Sequence, residues 1–325
     1  MYNIGILGAG IIAGVMAETV AKMENAQILA IGSRSDEKAR QFAEKYDIPT
    51  YYGSYEELAA DDRLDLIYIA TPHSRHYDDC MLCIENGRNI LCEKAFTANK
   101  KQAEELFKAA KEKNVFITEA IWTRYIPMRK TLDDIIESGV IGDIMSLTAN
   151  LGYPLSHMER LIKPELAGGA LLDLGVYALN FAVMAFGEDI ADIKSNCTKN
   201  EYGVDMHNSI ILTYADGKSA VLHSNCYCPL DRKGIIYGTK GRIEFHNINN
   251  CEGIDVILHD GTQKHYPTPP QISGYEYEVI SSLKAISEGK MECSEMTHRE
   301  TLFIMELMDR LRNDWGIVYP FDTNP

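Results

Sequence analysis

Six residues near the start of the chain, Gly8-Ala9-Gly10-Ile11-Ile12-Ala13, directly follow the apolar run Ile4 to Leu7. A glycine at the end of a buried strand lets the backbone turn sharply, and a second one lets the main chain approach a pyrophosphate with no Cβ in the way. Ala13 is small enough for helix to pack closely on strand. Ile11 and Ile12 open that helix, whose first amides then point at phosphate. A second apolar run ends in Cys92-Glu93-Lys94, which puts an acid and an ammonium at another strand exit. Together these signals predict a nicotinamide dinucleotide enzyme, with Gly8, Gly10, Ile11, Ile12, Glu93 and Lys94 at the cofactor.

The choice of dinucleotide is made at the end of the second strand. An NAD site there usually offers an acid to the ribose 2′-hydroxyl, whereas this chain reads Gly32-Ser33-Arg34-Ser35. Arg34 can cover the adenine and, with Ser33 and Lys38, hold a 2′-phosphate, so NADP is the expected cofactor and NAD the lesser one. The competing reading makes Ser35 a helix cap, with Arg34 on the solvated surface and Asp36 and Glu37 complementing the helix dipole.

Bulk properties narrow the class. At 325 residues the chain suggests two domains, each able to bury its own core. A net charge of −15 argues against nucleic acid or an anionic membrane as partner. The apolar stretch Ile4 to Val20 has no basic leader and carries the glycine turn, and Leu171 to Phe186 is interrupted by Asp173 and Asn180. Eight scattered cysteines suit a reducing compartment, and a cytoplasmic location is expected. Cys80-x-x-Cys83 lies in a stretch read as a helix, Tyr77 to Asn86, where both thiols share a buried face, and no second pair completes a zinc site. No metal is expected.

The elements that must position these residues follow two grammars. Ile4 to Leu7, Ile28 to Gly32, Leu66 to Ala70, Asn89 to Cys92 and Val115 to Thr118 are short apolar runs of the kind buried on both faces of a parallel sheet. Ser54 with Glu57 and Asn99 with Gln102 have capping-box spacing, and Gly87 is placed to end a helix. A doubly wound Rossmann domain is expected over 1–121. Pro127 then suits the first turn of a helix, Met128 to Ser138. Beyond it come strand patterns at Ile144 to Leu151, Ser209 to Tyr214, Ser219 to Cys226, Gly234 to Tyr237 and Arg242 to Phe245, with Gly238 to Gly241 as a hairpin turn. A long helix, about Gly169 to Phe186, interrupts them, and a last strand is expected near Val318. The expectation for 122–325 is an α+β domain, substrate-binding and oligomerising, with a large, mainly antiparallel sheet.

Five spaced motifs carry a family resemblance that runs nearly end to end. They are the glycine turn, Thr71-Pro72-His73-Ser74-Arg75-His76, Cys92-Glu93-Lys94-Ala95, Glu119 to Tyr125, and Gly168 to Tyr177. The pattern resembles the glucose-fructose oxidoreductase/inositol dehydrogenase (Gfo/Idh/MocA) family, and within it the branch of dimeric dihydrodiol dehydrogenases and NADP-dependent D-xylose dehydrogenases. The resemblance implies hydride transfer between the nicotinamide and a secondary alcohol on a sugar, polyol or dihydrodiol. Tyr177 is then the proton-transfer group, Lys94 the cation that favours its phenolate, and Asp173, four residues before Tyr177, the group that orients the lysine or a substrate hydroxyl. The chain departs from the pattern at Ala95, where the family usually has proline.

In the resembled branch Thr71, Pro72, His73 and His76 lie toward the cofactor, although the histidine pair also reads as helix capping or packing. Trp122 is expected to wall the nicotinamide pocket or to pack structurally, and Arg124 to reach the cofactor or to form a structural ion pair. Arg160 is a weaker substrate contact, outside the site set. A homodimer or homotetramer is implied, formed through a sheet face left apolar. The alternative of a different class is a non-catalytic NADP-binding sensor, which would need only the nucleotide site.

Overall fold

The structure, a computed structural model, describes residues 1–322. It divides into two compact units: Met1–Ile121 with Gln271–Met305, and Trp122–Pro270 with the chain from Glu306 onward. The chain changes unit at Ile121/Trp122. Residues 271–305, which a simple division at 121 assigns to the second domain, pack in the first unit.

The first unit is built on a six-stranded sheet. Its strands are β1 (Tyr2–Leu7), β2 (Ala26–Gly32), β3 (Thr50–Tyr52), β4 (Leu66–Ile69), β5 (Ile90–Glu93) and β6 (Ile117–Ala120). All neighbours are parallel, in the order β3-β2-β1-β4-β5-β6. The middle strands are apolar without alternation because helices cover both faces, and Ile4, Ile6, Ile67, Tyr68, Ile90 and Leu91 are fully buried. The expected caps form: Ser54 Oγ accepts from Glu57 N at 3.2 Å, Asn99 Oδ1 accepts from Gln102 N at 3.0 Å, and Gly87, at φ +70°, follows the helix His73–Glu85. That helix starts four residues earlier than its apolar pattern indicates, because Pro72 sits at its cap with extended backbone.

The second unit has an eight-stranded sheet: β7 (Ile144–Gly152), β8 (Ile190–Lys199), β9 (Asp205–Tyr214), β10 (Ser219–Asn225), β11 (Gly234–Gly238), β12 (Gly241–His246), β13 (Gly253–Leu258) and β14 (Gln263–Tyr266). The order is β14-β13-β12-β11-β7-β10-β9-β8, antiparallel except where β7 runs parallel to β10. One face is buried and the other carries Ile211, Val221 and Tyr237, each more than a third exposed. The helical stretch 164–186, long and apolar enough to cross a membrane, is mostly buried inside the fold, so its apolarity is that of a core helix. No strand forms at Val318. The chain there is irregular, with Val318 exposed between buried Ile317 and Tyr319, and the tail is tied by Asp322, whose carboxylate accepts from Tyr319 N and from Arg312.

Candidate functional site

In the first unit, the turn after β1 has the shape a dinucleotide needs. Gly8 adopts φ +107°, and a Cβ there would crowd the Ala70 carbonyl oxygen at 3.0 Å and Thr71 at 3.1 Å. Among the described residues, a Cβ on Gly10 would meet only the Ala70 oxygen, at 3.8 Å, so the space beside it is open. The helix Ile11–Val20 begins with no side-chain cap and no acid in its first turn, which leaves its N-terminal amides suited to phosphate. Ile11 is 81% exposed at that position, an apolar side chain facing outward beside the opening. These residues fit a bound dinucleotide.

At the end of β2, Ser33 is buried and its backbone N–H donates to Tyr52 O at 3.1 Å. Ser35 does cap the next helix, accepting from Lys38 N at 3.4 Å. Arg34 and Lys38 are exposed, and the Arg34 charge opposes the rise that burial imposes on the Tyr55 pKa. The cap uses the Ser35 side chain and the Lys38 backbone N–H, not the side chains of Ser33, Arg34 or Lys38.

The loop after β5 is held from beneath. Glu93 is 8% exposed; its Oε1 accepts from the Tyr68 hydroxyl and its Oε2 from Lys94 N at 3.2 Å. The Lys94–Ala95 peptide is cis with alanine in the proline position. His76 is fully buried, with Nδ1 2.9 Å from the Ala95 carbonyl oxygen and Nε2 2.8 Å from that of Thr71. Burial lowers its pKa against the pull of those carbonyls. The imidazole thus ties the end of β4 to the lysine loop, with both nitrogens committed to backbone. His73, 7% exposed, packs edge-on against it at 5.7 Å, and Thr71 Oγ1 donates to Asp79 at 2.7 Å. Beneath Glu93 lies Glu278, fully buried on the helix Glu276–Ser287. Burial, with the charges of Glu93 and Glu276, raises its pKa well above the carboxylate range. Nothing in the local sequence signals this acid, because its partners are remote in the chain.

In the second unit, Asp173 and Tyr177 sit where the expected single helix has a wide π-helical turn, Leu171–Gly175, followed by the helix Val176–Phe186. Such turns recur at functional sites. The sequence Gly168-Gly169 makes room for it: a Cβ on Gly168 would lie 2.7 Å from Leu161 O, and one on Gly169, at φ +125°, 2.4 Å from Asp205 Oδ1. Asp205 is the anchor, its Oδ2 accepting from Leu171 N and from Asn208 Nδ2 at 2.9 Å each. Burial pushes its pKa up to about 6. Asp173 and Tyr177 are both nearly buried. Arg160 Nη1 donates to Asp173 Oδ1 at 2.7 Å, a contact stronger than the sequence indicates for that arginine. Arg124 is also buried, and its Nε donates to Asn180 Oδ1 at 2.8 Å, fixing the short helix Trp122–Arg124 to the one that carries Tyr177. Trp122 is half-buried. The structure brings Asp173, Tyr177, Arg160 and Arg124 around one helix, and Glu93, Lys94, His76 and Thr71 around one loop.

Two family models match the chain: an oxidoreductase family with NAD-binding Rossmann fold (GFO/IDH/MocA) over residues 2–120, and the GFO/IDH/MocA C-terminal domain over 130–244. The trans-1,2-dihydrobenzene-1,2-diol dehydrogenase of Xenopus tropicalis is 34% identical, with 97% of this chain and 98% of that protein covered. The human protein of that name is 30% identical, at 98% of each. Among solved structures, the 3-ketoreductase KijD10 from Actinomadura kijaniata, in complex with NADP and TDP-benzene, superposes with TM-score 0.87 at 22% identity, covering 96% of this chain and 97% of that one. A levoglucosan dehydrogenase with NADH and L-sorbose superposes with TM-score 0.83 at 19% identity, with 97% of each covered.

Proposed function

We propose a function from one premise: the chain belongs to the Gfo/Idh/MocA oxidoreductase family. It is an NAD(P)-dependent oxidoreductase, and our reading is that it prefers NADP and interconverts a secondary alcohol and its carbonyl on a trans-dihydrodiol, sugar or polyol. Nicotinamide, when bound, accepts or returns the hydride. The residues that would hold the dinucleotide are Gly8, Gly10, Ile11 and Ile12 at the pyrophosphate turn and Ser33, Arg34 and Lys38 at the 2′-phosphate. Thr71, Pro72, Glu93, Trp122 and Arg124 complete the cofactor side in this reading. His73 and His76 shape it from beneath.

Tyr177 takes the alcohol proton in the oxidising direction and returns it in the reducing one. A phenol ordinarily titrates near 10, so it needs a cation to act as base near neutrality, and Lys94 supplies it. Asp173 orients the lysine or a substrate hydroxyl. The observation that carries the reading is Tyr177, nearly buried at the start of a helix whose preceding turn is widened and anchored by Asp205. A tyrosine kept only for packing needs no such anchor. Eight free thiols among the described residues support a reducing, cytoplasmic setting. The exposed apolar sheet face with Ile211, Val221 and Tyr237 supports a homodimer as the smallest assembly.

The test is a turnover screen with NADP and NAD against trans-1,2-dihydrobenzene-1,2-diol, D-xylose, cyclic polyols and dicarbonyls, followed at the nicotinamide absorbance band. The reading expects turnover, faster with NADP. Tight NADP binding without turnover on any of these would leave a nucleotide-binding sensor instead.

A further inference from the structure

Arg160 lies on a four-residue helix, Glu159–Ile162, in the segment between β7 and the wide turn. Its backbone and its head group are both fixed relative to Asp173. Leu161 O accepts from Gly169 N at 2.9 Å and Lys163 O from Gly168 N at 3.0 Å, so the short helix is stitched to the glycine pair that opens the turn. The guanidinium then forks over the carboxylate, with Nη1 2.7 Å from Oδ1 and Nη2 3.5 Å from Oδ2. The Asp173 side chain is 5% exposed and that of Arg160 39%, so Arg160 is the solvent-facing member of the pair.

We propose that Arg160 is a positioning residue for the dehydrogenase reaction, which holds the Asp173 carboxylate in the orientation from which it acts on a substrate hydroxyl. This rests on the function proposed above. A carboxylate on a short side chain can rotate about two bonds, and a planar fork on both oxygens stops that rotation in a way a single ammonium does not. The arginine also sets a positive charge against a carboxylate that is nearly desolvated. The arrangement favours neutral polyhydroxylated substrates, which can hydrogen-bond an oriented carboxylate without displacing its cation.

The test uses the full-length protein with NADP and trans-1,2-dihydrobenzene-1,2-diol or D-xylose, whichever the wild type turns over faster. Arg160→Ala should lower kcat/KM about 10- to 100-fold, the size of one charge-assisted contact, with NADP affinity held. Arg160→Lys should recover part of the loss. Guanidinium ion at millimolar concentration should rescue Arg160→Ala but not Asp173→Asn, and urea should rescue neither. The Arg160→Ala/Asp173→Asn double variant should be no worse than Asp173→Asn alone, because both act through one carboxylate. Wild-type kcat/KM in Arg160→Ala, additive losses, or no guanidinium rescue would overturn the proposal. A wild type silent on every substrate of the screen above would remove the dehydrogenase reading and this inference with it, whereas an active wild type beside an indifferent Arg160→Ala removes the inference alone.

Discussion

Glu278 should make the protein less stable as pH rises, and Glu278→Gln should abolish that dependence. The acid is fully buried in the first unit, and neither carboxylate oxygen has a hydrogen-bond partner among the described residues. Burial, first of all, and then the like charges of Glu93 and Glu276 hold its pKa well above 4.5, its ordinary value. In the unfolded chain the same group loses its proton near that ordinary value. Between the two values the folded state binds one proton that the unfolded state has released. Stability is therefore fully present below the unfolded pKa and falls by about 1.4 kcal/mol per pH unit as pH climbs toward the folded one. The loss runs over the pH interval between the two values and ends where the folded acid itself gives up its proton. Glutamine has the same shape and no proton to lose. Urea unfolding of wild type and Glu278→Gln at pH 5 and pH 7 measures the difference, and the remaining titrating groups, Asp205 among them, cancel in the comparison. The variant should match or fall slightly below wild type at pH 5, since its amide is also buried, and gain on it by up to about 1.4 kcal/mol per pH unit as pH rises. Parallel pH profiles for the two proteins would refute the reasoning, because Glu278 would then carry the same charge folded and unfolded.

Other expectations concern separate parts of the molecule. Arg34→Ala should weaken NADP about 10- to 100-fold while leaving NAD nearly unchanged in a fluorescence titration, and equal losses would remove the 2′-phosphate assignment. Gly169→Ala puts a Cβ 2.4 Å from Asp205 Oδ1 at a backbone angle of φ +125°, so it should lower the melting temperature and turnover together while NADP affinity is kept. A melting curve identical to wild type would argue that Asp205 does not anchor the turn. Sedimentation should find a dimer or larger that Val221→Lys breaks to monomer, and a wild-type monomer in dilute solution would discard the sheet-face interface.

The parts of this architecture that were legible in sequence are those where local pattern and burial coincide. β1, β2, β4, β5 and β6 read as apolar runs because both of their faces are covered. β3 is three residues long with an exposed Tyr51, β8 reads as a mostly polar alternation, and β14 is Gln-Lys-His-Tyr at a sheet edge, so none of them has enough buried face to signal itself. The glycine turn, the Glu93-Lys94 pair and the Asp173/Tyr177 spacing stand out because close backbone approach and polar chemistry demand particular residue types. The supports of the site were hidden for the opposite reason. Asp205 reaches Leu171 across 34 residues, and Glu278 lies beneath Glu93 from a segment that returns to the first unit after the whole second sheet. The π-helical turn was also invisible, since its apolar periodicity is close to that of an ordinary helix over so few residues.

The central claim, that Tyr177 transfers the proton in an NADP-dependent hydride transfer, is tested most directly by the turnover of Tyr177→Phe beside wild type, with NADP affinity measured on both. The account predicts a fall in kcat of about 10² to 10⁴ with affinity unchanged, because only the interaction made in the transition state is lost. Near-normal turnover in Tyr177→Phe would contradict it and make the buried tyrosine a packing residue of its helix.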